Sequence, residues 1–67
     1  MAVLKTKDIR EMATEERMNR LKELKEELMH ERGVAAMGGA PTSPGKIRAI
    51  RTSIARLMTV MKEEGEL

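Results

Sequence analysis

The run Gly38-Gly39-Ala40-Pro41-Thr42-Ser43-Pro44-Gly45 constrains this chain most, because glycine and proline both interrupt helices and they fill five of its eight positions. On either side, apolar residues recur at helical spacing. Upstream, Met18, Leu21, Leu24 and Leu28 fall on one face of a helix that opens at Thr14, with Glu15 and Glu16 at its positive end. Gly33 is a weak point inside that pattern. Downstream, Ser43 can cap a helix and Pro44 suits its first position. From there Ile47, Ile50, Ile54, Leu57 and Met61 step by three and four residues, and Gly65 marks the end. Thr6 is a competent cap for a short helix ahead of both. The expectation is an all-α fold: a long antiparallel two-helix hairpin with a short leading N-terminal helix. It forms one domain over 1–67, with a short helix at about 7–12, long helices at about 14–37 and 44–63, and a loop at about 38–43. No internal repeat and no strand pattern is visible.

The core of such a chain must be thin. Its 67 residues include no Phe, Tyr, Trp or Cys, so neither a large ring nor a disulfide nor a cysteine-bound metal adds to it. A partner is therefore expected to contribute to its stability. The seven methionines read as core filler near the apolar stripes. His30, the only histidine, reads as a surface residue, and Ser43 as a cap and not a nucleophile. No apolar run reaches the roughly 18 residues of a membrane span, and Met1-Ala2-Val3-Leu4-Lys5 lacks the apolar stretch of a signal peptide. The reading is a cytoplasmic protein with no cofactor, no metal and no small-molecule substrate.

Charge is distributed unevenly along the chain. Residues 1–31 carry seven basic and eight acidic side chains, residues 32–62 carry six basic and no acidic ones, and residues 63–67 carry three acids. At 100° per residue, Arg48, Arg51, Ala55, Thr59 and Lys62 lie within about 80° of one another, on the side of the last helix away from Ile47, Ile54 and Met61. Small residues between the bases, with Thr52 beside them, would let a phosphate backbone approach, and hydroxyls can donate to phosphate oxygens. Arg56 points elsewhere, toward a second strand. A solvated helix normally interleaves both signs, as the preceding one does with Glu16 to Arg20 and Lys22 to Glu26. The last helix forgoes that support, which points to an anionic partner. The lack of aromatics argues against membrane insertion and against stacking on single-stranded bases, leaving the backbone and shape of folded RNA. The candidate RNA-binding residues are Lys5, Lys7, Arg10, Arg32, Lys46, Arg48, Arg51, Thr52, Arg56, Thr59 and Lys62.

The segment from Gly38 to Val60, with its Ile47-Arg48-Ala49-Ile50-Arg51 and Ile54-Ala55-Arg56-Leu57-Met58-Thr59-Val60 elements, resembles the signature of the universal large-subunit ribosomal protein twenty-nine family in its archaeal form. Leu4-Lys5-Thr6-Lys7-Asp8-Ile9-Arg10-Glu11-Met12 is similar to that family's opening. The resemblance implies a helical hairpin lying on large-subunit ribosomal RNA at the outer surface near the polypeptide exit tunnel. It implies ribosomal protein twenty-three as a neighbour, with the signal recognition particle and nascent-chain factors docking in the same region. Ser43 stands where the family often has Asn, Lys46 where it often has Arg, and Thr52 where a further Arg is common; Lys46 keeps the charge but loses the bidentate fork. The rivals are an antiparallel coiled-coil interaction module, which leaves the acid-free helix unexplained, and a small all-helical enzyme of the chorismate mutase type. The latter needs a walled pocket that two helices do not enclose.

Overall fold

The computed structural model describes residues 3–36, 38 and 44–67, with side chains described throughout except at 34–36 and 44. Among these residues there are three helices: α1 (Thr6–Glu11), α2 (Thr14–Ala36) and α3 (Pro44–Glu63). Among the described residues there is no strand. The expected loop at about 38–43 and the Ser43 cap lie outside the described residues apart from Gly38.

Each helix end has a local cause. Thr6 is the first residue of α1 and not its cap; Lys5 occupies the cap position and makes no side-chain bond there. Glu15 and Glu16 occupy the first turn of α2, where the helix dipole favours acids. At the end of α3, Gly65 adopts a left-handed φ of 72°, its N–H donates to the Lys62 carbonyl at 3.1 Å, and the Glu66 N–H donates to the Met61 carbonyl at 2.8 Å. This pair of bonds is a Schellman motif, which satisfies carbonyls the helix would leave orphaned and turns the chain back on itself.

The core is a single cluster of Ile9 from α1, Leu21 and Leu24 from α2, and Ile50, Leu57, Val60 and Met61 from α3, with Leu4, Leu28 and Ile54 packed against it. Burial of each of these large aliphatic side chains contributes about 1.5–3 kcal/mol. Thr14 and Arg17, at the start of α2, bond Glu66 just beyond α3, while Lys46, in the first turn of α3, pairs with Glu31 near the end of α2. The start of each long helix thus lies beside the end of the other.

The seam on α3 is not the expected heptad. Ile50, Leu57 and Met61 are buried as expected, but Ile47 and Ile54 are half-buried, while Ala49, Ser53 and Val60 are buried. The heptad reading assumed one partner helix. In fact α3 packs against both α1 and α2, so its buried arc is wider and turned toward α1. The methionines also depart from expectation. Met61 is buried, but Met18, Met29 and Met58 are exposed, Met29 to 75%. A stripe as narrow as Leu21, Leu24 and Leu28 does not extend over Met18 or Met29.

Candidate nucleic-acid interface

The bases of α3 are outward-facing because Ile50, Leu57, Val60 and Met61 turn the opposite arc into the core. Arg48, Arg51 and Lys62 are exposed, and among the described residues none of the three forms an ion pair. With Ala55 and Thr59 also exposed, the helix presents a convex strip of positive charge with small side chains between the bases. Arg32, near the end of α2, is exposed, as are Lys5 and Lys7 at the N-terminal end.

Other candidate residues have partners within the fold. Lys46 Nζ lies 2.7 Å from Glu31 Oε1, and the hydrogen bond and charge of Glu31 hold its ammonium above the usual lysine value. Arg10 reaches Glu63 at 3.4 Å with both side chains about half exposed, a pairing that water and salt weaken easily. Arg56 Nη1 donates to the Leu4 carbonyl at 3.0 Å, which ties the segment ahead of α1 onto α3. Guanidinium carries five N–H donors, so one such bond does not exhaust it. The Thr59 hydroxyl donates to the Ala55 carbonyl at 2.9 Å, one turn back in its own helix, which commits the proton expected for a phosphate and leaves lone pairs. Thr52 is half-buried beside the strip. On α2, Arg20 pairs with Glu23 at 3.6 Å instead of with Glu16.

Sequence reasoning missed the polar residues that hold the interface in shape. Arg17 is 5% exposed, and its guanidinium donates to the carbonyls of Ile9 and Arg10, both at 2.9 Å, and to Glu66 Oε2 at 2.7 Å. Ser53 is buried, and its Oγ accepts the Leu4 N–H at 3.1 Å. Neither has a sequence signal: Arg17 looks like one more charge in a charged helix, and Ser53 like a surface hydroxyl.

Two concave places among the described residues lie away from the strip. One cleft is lined by Met12, Ala13, Glu15, Glu16, Asn19, Arg20 and Glu23, and an apolar groove by Met18, Leu21, Met29, Met61 and Leu67 with Lys22, Lys25 and Glu26. Neither includes a base of the α3 strip. His30 is exposed, and among the described residues no group of three or more His, Cys, Asp or Glu is placed to hold a metal ion. No described helix is long and apolar enough to cross a membrane.

A model of the family described as Ribosomal L29 protein matches residues 7–63. The chain belongs to the Ribosomal L29 protein family. Its relatives in that family include three archaeal proteins called "Large ribosomal subunit protein uL29". That of Thermoplasma volcanium is 56% identical over 64 residues, covering 96% of this chain and 97% of its own. That of Halobacterium salinarum is 49% identical over 67 residues, covering 100% and 94%. That of Methanocaldococcus jannaschii is 47% identical over 64 residues, covering 96% and 91%. Of the candidate contact residues only Lys5 precedes the span that matches the Ribosomal L29 protein family, and Glu66, the carboxylate on Arg17, follows it.

Proposed function

We propose that the chain is a structural, non-catalytic constituent of the large ribosomal subunit, an antiparallel helical hairpin with α1 laid along it. It binds large-subunit ribosomal RNA through the basic strip of α3, in the cytoplasm. The observation that carries this reading is the acid-free stretch 32–62, from which Arg48, Arg51 and Lys62 emerge exposed and without an ion pair among the described residues. A convex positive helix whose bases line neither the cleft nor the groove described above suits the backbone and shape of folded RNA, not a small substrate. Arg32, Thr52 and the second guanidinium edge of Arg56 extend the strip, and Lys5, Lys7 and Arg10 add a group at the N-terminal end. Lys46 serves both the fold and the interface: its bond to Glu31 ties the start of α3 to the end of α2, and a partly exposed ammonium still attracts phosphate.

Membership of the family supports a place at the subunit surface near the polypeptide exit tunnel, beside ribosomal protein twenty-three. The signal recognition particle or nascent-chain factors would dock in the same region.

Binding of the full chain to protein-free large-subunit RNA, measured over a range of salt, tests the strip. Counterion release makes such binding fall steeply with salt. Reversing both arginines, Arg48→Glu with Arg51→Glu, is expected to weaken it by about 1–3 kcal/mol per lost contact while helicity by circular dichroism stays unchanged. Unaltered affinity would refute the strip, and salt-insensitive self-association would favour a coiled-coil interaction module.

A further inference from the structure

Helix α1 has only six residues, far below the roughly 12–15 at which an isolated helix becomes even marginal in water. It exists because other parts of the chain hold it. At its front, the Leu4 N–H and carbonyl are taken by Ser53 Oγ and Arg56. At its middle, Ile9 is fully buried. At its rear, two carbonyls of its last turn, Ile9 and Arg10, receive Nε and Nη2 of Arg17. The third arm of the same guanidinium reaches Glu66, which also accepts the Thr14 hydroxyl at 2.7 Å and is delivered by the turn at Gly65. The end of α1, the start of α2 and the tail beyond α3 therefore meet on one buried side chain.

We infer that Arg17 is a positioning residue for the RNA contact: it fixes α1 so that the exposed Lys5 and Lys7 belong to the same rigid surface as the α3 strip. This rests on the RNA-binding reading above. Arg17 itself is too buried to meet a phosphate, so any effect it has on affinity is indirect. A guanidinium suits the place because it carries fixed positive charge to the negative end of a helix and donates to two carbonyls at once, that of Arg10 and that of Ile9, which also accepts the Met12 N–H. Without it, α1 loses its rear anchor and keeps the Leu4 bonds and the buried Ile9, so the lysines sit on a less constrained segment whose ordering weakens binding.

The test is a double-mutant cycle on the full chain, reading affinity for protein-free large-subunit ribosomal RNA and its salt slope. Arg17→Met is expected to weaken binding measurably, by no more than Lys5→Gln with Lys7→Gln does. It should also flatten the log–log salt slope, by at most about 1.4–1.8, the share of two phosphate contacts. Combined with Lys5→Gln and Lys7→Gln it should cost nothing further. Arg17→Lys, which keeps the charge but not the three-way fork, should restore part of the loss. Full affinity in Arg17→Met, or losses that simply add, would overturn the inference. If Arg17→Met is unfolded by circular dichroism, Arg17→Lys in the same cycle decides by the same criterion. Arg48→Glu with Arg51→Glu is the control: if that variant binds like the wild type, the RNA-binding reading itself has failed. If it is weakened while the Arg17 variants are not, only the role of Arg17 falls.

Discussion

Gly33 stands inside α2, exposed, with nothing within 4 Å of where a Cβ would sit. Glycine there gives up conformational freedom without gaining a close contact, so Gly33→Ala should stabilise the folded chain by about 0.5–1 kcal/mol. A higher unfolding midpoint in thermal circular dichroism would register it. Lys46 makes a prediction in pH. Its folded-state pKa is raised by Glu31, so the folded form holds its proton more tightly than the unfolded one. The resulting stability is fully present below the ordinary lysine value and is lost as pH rises through the raised one. Lys46→Gln should therefore abolish a component of alkaline unfolding above pH ~10.5. The same unfolding curve in both proteins would contradict the pairing. At this scale the sequence showed which residues are charged but not what they touch. Arg17, Arg20, Arg56 and Thr59 all have partners determined by tertiary geometry or by rotamer, and no spacing rule distinguishes Arg17 from its exposed neighbours.

Among the elements, the existence of three helices was legible because the Gly/Pro run, the acids after Thr14 and Gly65 each have a local physical meaning. The seam of α3 was legible only in part. A heptad reading places Ile54 in the centre, yet Ile54 is half-buried while Ile50 and Leu57 are fully buried. Helix α1 was visible as a short helix, but that α3 packs against it as well as against α2, so that Ile9 and Val60 share one core while Leu4 bonds Ser53, is a long-range result. The consequence can be measured. Ile50→Ala should cost about 2–5 kcal/mol, enough to unfold much of a domain this small, whereas Ile54→Ala should cost clearly less. Equal destabilisation in chemical denaturation would restore the heptad seam. The exposed methionines were mistaken for filler for a related reason: Met18 and Met29 follow the helical period of α2 but stand beyond the stripe it buries.

On the scale of the whole molecule, the chain segregates its charge. Acids cluster in α2 and from Glu63 onward, where Glu31 and Glu66 hold Lys46 and Arg17 in place, and the acid-free stretch leaves Arg48, Arg51 and Lys62 facing outward. This division was readable from counting charges, since it needs no contact to be known. Which bases are reserved for the fold, Arg17 above all, was not. On the proposal above, the chain rides on the large ribosomal subunit through those outward bases. The most direct measurement is sedimentation of a source-cell lysate through a sucrose gradient at low salt and again after a high-salt wash. The chain is expected to travel with the large subunit at low salt and to leave it as salt rises, with the Arg48→Glu, Arg51→Glu variant leaving at lower salt. A chain that stays at the top of the gradient in every condition would contradict it.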